Sequence, residues 1–204
     1  MQAYFVPVAP ISAVMEIKKS RFITFLSPAR GIDAARDCIR QAREQHPSAT
    51  HHCWAYIAGP PQDSSQYGFS DDGEPSGTAG RPMLAQLQGS GAGEITAVVV
   101  RYFGGIKLGT GGLVRAYGGG VQQALKLMAR VEIVPQVEFV VFCRYEQQAW
   151  IEMALKQVAG RIVQSDYGES INLRVAIPFD KVNEASRKLS DLSRGALHFM
   201  PIKE

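Results

Sequence analysis

Ile95-Thr-Ala-Val-Val-Val100 runs directly into Arg101-Tyr-Phe-Gly-Gly-Ile-Lys-Leu-Gly-Thr-Gly-Gly-Leu-Val-Arg-Ala-Tyr117. The unbroken apolar run suits a strand buried on both faces at the centre of a sheet, over residues 94–103. Beyond the glycines, Leu113, Val114, Tyr117, Val121, Ala124, Leu125 and Met128 recur at helical spacing, which predicts a helix over 111–130. The unit is therefore strand, glycine loop, helix. Gly118, Gly119 and Gly120 fall inside that helix and cost roughly 1 kcal/mol each relative to alanine, which predicts close packing against a neighbouring backbone.

Fifteen of the twenty glycines lie between Gly68 and Gly120, and upstream of the quoted stretch stands a second dense block, Ser70-Asp-Asp-Gly-Glu-Pro-Ser-Gly-Thr-Ala-Gly-Arg-Pro82. Outward from these blocks the pattern is conventional. Strands are predicted over 13–17 and 21–26, turned at Lys18-Lys19-Ser20, followed by a helix over 31–46 that Pro47 ends, a strand over 51–57 and a short helix over 82–87. After Pro135 the order becomes strand 137–143, helix 146–159, strands 161–166 and 170–177 joined at Tyr167-Gly168, helix 180–192 and strand 196–202. That βαββαβ order in about 68 residues is the ferredoxin-like plan. Asp180 is the expected N-cap of its last helix and Gly195 the expected C-terminal glycine. The fold class is α+β in two domains, 1–134 and 135–204.

The net charge is +3, with 13 Lys/Arg against 10 Asp/Glu before Pro135 and 9 against 9 from it onward. This permits an anionic partner without demanding one. Cys38, Cys53 and Cys143 are odd in number and lack paired spacing, which argues against a disulfide framework and against structural zinc. No apolar run approaches membrane-spanning length, so a cytoplasmic protein with no membrane partner is expected.

In the glycine loop, a strand that ends at Gly104-Gly105 and resumes as a helix after Gly109-Thr110-Gly111-Gly112 leaves backbone N–H groups free at a helix N-terminus, a setting for phosphate or carboxylate. Arg101, Lys107 and Arg115 add positive charge. The spacing matches neither a Walker loop nor a dinucleotide fingerprint, and a tight structural turn would use the same glycines. A secondary set in the upstream block, Asp71, Asp72, Glu74, Ser76 and Arg81 with His52, offers acid–base groups, though solvated or ion-paired turn residues account for them equally well. His51-His52-Cys53 on a strand would place His51 and Cys53 on one face and His52 on the other, too few ligands for one metal ion. No metal and no cofactor are expected. Ser76 lacks the G-x-S-x-G frame of a hydrolase nucleophile.

Gly73–Pro82 and Arg101–Tyr117, with His51-His-Cys-Trp-Ala-Tyr56 ahead of them, closely resemble the signature of the Impact family, and the full length is similar to its bacterial members. The resemblance implies an N-terminal domain of the ribosomal-protein and GHMP-kinase-like βαβ type, and a C-terminal ferredoxin-like domain similar to the last domain of elongation factor G. Eukaryotic Impact proteins regulate translation largely through an extra RWD domain. The Impact-type domain begins almost at Met1 here, so that mechanism is not expected to carry over.

The expected function is a cytosolic binding protein associated with RNA or the ribosome, with a role in regulating translation, that uses the glycine loop on phosphate. Two alternatives stand beside it: an enzyme acting on or binding a small phosphorylated metabolite, and a protein-interaction module whose glycines are structural. Catalytic residues are not assigned at this level.

Overall fold

Ile95–Tyr102, the sixth strand, has seven of its eight residues buried, and alternate side chains enter two different cores. Ile95, Ala97 and Val99 join one cluster, while Val98 and Val100 join the other. A strand apolar on both faces must be covered on both faces, and the rest of the N-terminal unit follows from that requirement. The structure, a computed structural model, describes residues 2–202. It is α+β and divides into two compact units, one of Tyr4–Ile133 and one of the chain from Val134 onward together with the described residues ahead of Tyr4.

In chain order the first unit comprises β1 (Tyr4–Pro7), β2 (Ile11–Ile17), β3 (Ser20–Pro28), α1 (Ile32–Gln45), β4 (His51–Ile57), β5 (Tyr67–Ser70), α2 (Gly80–Gly89), β6 (Ile95–Tyr102), α3 (Thr110–Leu127) and β7 (Arg130–Ile133). Five of these strands form one sheet in the order β2-β3-β6-β4-β5, and every neighbouring pair is antiparallel. Because β3 and β4 both oppose β6, they run parallel to each other, and α1 is the crossover of a βαβ unit with β6 inserted between its strands. On one face α1 packs through Ala35, Ile39 and Ala42 against Ile23, Tyr56, Val98 and Val100. On the other face α2 and α3 supply Met83, Leu87, Leu113, Tyr117 and Val121.

The second unit holds β8 (Gln136–Cys143), α4 (Gln148–Gln157), β9 (Arg161–Tyr167), β10 (Ile171–Pro178), α5 (Val182–Ser193) and β11 (Met200–Pro201). Its sheet order is β11-β8-β10-β9, antiparallel throughout, which is the ferredoxin-like arrangement. Phe139, Val141, Ile171, Leu173, Val175 and Ile177 alternate onto one face and meet Ile151, Leu155, Ala185 and Leu189 from the helices. We propose residues 135–204 as a domain that folds alone, because that cluster is a core of its own. The isolated fragment is expected to give a cooperative urea transition; a chain unfolded in water would count against the proposal.

Several expectations need correction. Strands β1, β5 and β7 were not anticipated, since four residues carry too little periodicity to read. The third helix stops at Leu127 rather than near 130, because Met128 turns extended and Arg130–Ile133 pairs with β1. Asp180 does not cap α5: Phe179–Lys181 forms a 3-10 turn and the helix opens behind Lys181 without a side-chain cap. Gly195 does sit past the helix with φ 79°, and its N–H donates to the Ser190 carbonyl at 2.8 Å. The strand expected over 196–202 shrinks to Met200–Pro201 because the chain after Gly195 stays folded back, Leu197 N–H donating to Ser193 Oγ at 3.1 Å. Of Gly118, Gly119 and Gly120, Gly120 faces the closest neighbour, the Thr24 hydroxyl rather than a backbone; Gly118 makes ordinary contact with Pro82, its carbonyl oxygen included, and Gly119 faces open space.

Candidate functional site

The loop after β6 begins at Gly104, where a Cβ would lie 2.0 Å from the carbonyl carbon of Lys19, so that no side chain fits. Its N–H donates to Ser20 Oγ at 3.1 Å, which ties the exit of β6 to the β2–β3 hairpin. That hairpin turns through Lys18 and Lys19, both with positive φ (48° and 65°), the backbone of a type I′ turn. The chain then reaches Gly109, whose φ of 74° sets the entry into α3. No side chain caps this helix, and its first backbone bond runs from Leu113 N–H to the Gly109 carbonyl at 3.0 Å. The N–H groups of Gly109, Thr110, Gly111 and Gly112 find no acceptor among the described residues. The positive end of the helix dipole lies behind them, and of the four Gly109 and Thr110 line an open cleft, whereas Gly111 and Gly112 do not.

That cleft has a volume of about 440 Å³. Lys107, Leu108, Gly109 and Thr110 form one side of it, and Thr50, His51, Glu74, Pro75, Arg101 and Phe103 the other, with Leu113 beneath. The register of β4 on β6 sets His51 opposite Arg101, which brings the end of the His-His-Cys strand beside the glycine loop.

Glu74 is the pivot of this second side. Its Oε1 accepts from Arg101 Nη1 at 2.6 Å and from the Tyr117 hydroxyl at 2.7 Å, and its side chain is 4% exposed. Its Oε2 accepts nothing from the described residues. Arg101 is equally buried, lies 5.4 Å from the Phe22 ring centroid and 5.5 Å from that of Phe103, and keeps an Nε without a partner. The charge of Arg101 is thus balanced inside the protein. Burial, followed by the neighbouring Cys53 and Glu74, pushes the Tyr117 hydroxyl well above the usual phenol range, so it remains a donor.

His51 Nδ1 lies 2.8 Å from the Asp72 carbonyl oxygen. A carbonyl only accepts, so Nδ1 carries the proton, and Nε2 turns toward Glu74 Oε1 at 3.9 Å. His52 points to the opposite face, as strand alternation requires, and its Nε2 donates to the His46 carbonyl at 2.9 Å. Cys53 donates its thiol proton to the Asp71 carbonyl at 2.9 Å, and burial pushes that thiol up to about 12, which leaves no thiolate near neutral pH.

The remaining expected residues disperse. Asp71 accepts from the N–H groups of Gly77, Ala79 and Gly80 at 2.8–3.0 Å and so holds the start of α2; burial alone would raise its carboxyl, but these bonds outweigh burial and hold it below the ordinary value. Asp72 accepts from the His52 backbone N–H at 2.7 Å and from Arg43 at 2.8 Å. Ser76 is exposed on the connecting loop. Arg81 and Arg115 line a different cleft, between α2 and α3, together with Pro82 and Gly118. Of the secondary set only Glu74 enters the cleft at the glycine loop. Sequence reasoning missed His51, Thr50, Phe103 and Tyr117 there; the alternation that separated His51 from His52 was legible, but the register that selects His51 was not. Among the described residues no three His, Cys, Asp or Glu side chains converge to hold a metal ion, and no helix is long and apolar enough to cross a membrane.

Residues 18–125 match the family described as the Impact N-terminal domain, and residues 141–196 match a domain of unknown function, DUF1949. The chain is 56% identical over 204 residues, the whole of both proteins, to the IMPACT family member YigZ of Escherichia coli K12. It is 48% identical over 197 residues, 97% of this chain and 96% of the relative, to an IMPACT family member of Haemophilus influenzae. It is also 37% identical over 179 residues, covering 88% and 82% of the two chains, to the IMPACT family member YvyE of Bacillus subtilis. A solved structure titled as that of a hypothetical protein has 56% identity and a TM-score of 0.69, covering 100% of this chain and 99% of its own.

Proposed function

The chain belongs to the Impact family, and from that premise we propose that it is a cytosolic protein that binds RNA, free or within the ribosome, by gripping phosphate at the Gly104–Gly112 loop, with a role in regulating translation. The observation that carries this reading is the run of four N–H groups, Gly109 to Gly112, left without acceptors at the start of an 18-residue helix whose cap and first residue, Gly109 and Thr110, line a cleft that also holds Lys107. Gly104, Gly105 and Thr110 shape that loop; Lys107 brings an exposed charge. Arg101 supports the wall through its pair with Glu74, and Arg115 and Arg81 offer charge on the neighbouring cleft for a longer chain.

The test is a titration of single-stranded RNA at several salt concentrations. Each phosphate neutralised on a single strand contributes about 0.7 to the slope of log K against log salt, so Lys107→Ala is expected to lower the slope by about that amount and to weaken binding. Unchanged affinity and slope in a folded Lys107→Ala protein would return the glycines to a packing role.

A second reading has its own support. His51 Nε2 and Glu74 stand in the same concave site as the helix N-terminus, an arrangement suited to an enzyme that binds a small phosphorylated metabolite. Saturable binding of such a compound without salt-dependent RNA binding would favour it.

A further inference from the structure

A phosphate at the start of α3 leaves one feature of the cleft unused. Glu74 is nine-tenths buried, both donors it has within the protein converge on Oε1, and Oε2 accepts from nothing. A free carboxylate oxygen repels phosphate, so what sits against it must donate a hydrogen bond. His51 stands beside it: with Nδ1 committed to the Asp72 carbonyl, Nε2 is the ring nitrogen turned toward Glu74. At the rim, the ring of Phe103 is 47% exposed and has the Arg101 guanidinium 5.5 Å from its centroid. An exposed aromatic ring is a platform for a nucleic-acid base.

We infer that the cleft holds one ribonucleotide of an RNA strand and distinguishes RNA from DNA by accepting the single proton of the ribose 2′-hydroxyl at Glu74 Oε2, with His51 on the same wall. The 2′-hydroxyl is the donor that lies beside a backbone phosphate in RNA and is missing from DNA. The base stacks on Phe103, the phosphate meets Lys107 and the N–H groups of Gly109 and Thr110, and the hydroxyl donates to Glu74 Oε2. A volume of about 440 Å³ suits one such unit rather than a duplex. This inference rests on the phosphate-binding reading above and adds to it the kind of nucleic acid.

The experiment compares oligouridylate with its 2′-deoxy counterpart, which differ only in the hydroxyl, by fluorescence anisotropy at low salt. The intact protein is expected to prefer the RNA by about tenfold, the size of one added hydrogen bond to a charged acceptor. Glu74→Gln is expected to bring that ratio to about one and His51→Ala to lower it, whereas Lys107→Ala weakens both strands alike and keeps it. Should Glu74→Gln fail to fold, the ratio measured on the intact protein together with a lowered ratio in His51→Ala still decides. Equal binding of the two strands by the intact protein, with Lys107→Ala weakening both, would overturn the ribose assignment while the phosphate site stands. Binding of neither strand would overturn both. A preference that follows the base, oligoadenylate against oligouridylate, and survives His51→Ala would place a base amine rather than the sugar at Glu74 and would overturn the inference. Uridine 3′-monophosphate is expected to compete only at far higher concentration; equal affinity would make a free nucleotide, not RNA, the occupant.

Discussion

Glu74→Ala is expected to cost the N-terminal unit about 3–5 kcal/mol, because removing one partner of a buried ion pair strands the other charge in the interior. Arg101 has little else to relieve it: the side chain is 6% exposed, Nη2 reaches only Ser20 Oγ at 3.4 Å, and Nε already lacks a partner. The same substitution leaves the Tyr117 hydroxyl without its acceptor on a side chain that is fully buried. Urea unfolding of the full chain provides the measurement. The companion variant, Glu74→Leu with Arg101→Met, is expected to recover much of the loss, since a buried ion pair is often replaceable by well-packed apolar groups. A loss below about 1 kcal/mol in Glu74→Ala would mean that water from the cleft or a rearranged side chain compensates Arg101, and the pair would not hold the unit together.

The second large effect is expected at Gly104. An alanine Cβ there would lie 2.0 Å from the carbonyl carbon of Lys19, 2.1 Å from its oxygen and 2.5 Å from Ser20 N, all backbone atoms of a two-residue hairpin. Lys18 and Lys19 already hold positive φ, so the hairpin has little freedom to retreat. Overpacking commonly costs 1–3 kcal/mol, and with only backbone to displace Gly104→Ala should fall near the upper end, about 3 kcal/mol. It should also weaken phosphate binding, because the loop it displaces carries Lys107. Gly111→Ala is the counterpart, with nothing within 4 Å of its Cβ and a place inside α3. There alanine is expected to be neutral or to stabilise by about 0.4–1 kcal/mol by restricting the unfolded chain. If the two variants melted alike, the contrast between a packing glycine and a replaceable one would fail.

Much of the architecture was legible because long elements announce themselves. The continuous apolar run of β6 and the helical spacing of α1 and α3 identified the centre of the sheet and two of its covering helices, and the order after Pro135 identified the second unit's plan. The short strands β1, β5 and β7 were lost for want of length, and the N-cap at Asp180 was lost to a 3-10 turn that no local preference signalled. By itself, then, the sequence determined the strand, glycine loop and helix that frame the cleft, because backbone conformation there follows from residue type within a few positions. Only the tertiary structure decided what stands across from the loop. Glu74 meets Arg101 over 27 residues and Tyr117 over 43, and His51 rather than His52 faces them. Those meetings depend on the register of β4 against β6 and on where the turn after β5 carries Glu74. A one-residue slip would exchange the two histidines, and nothing local to either strand sets that register.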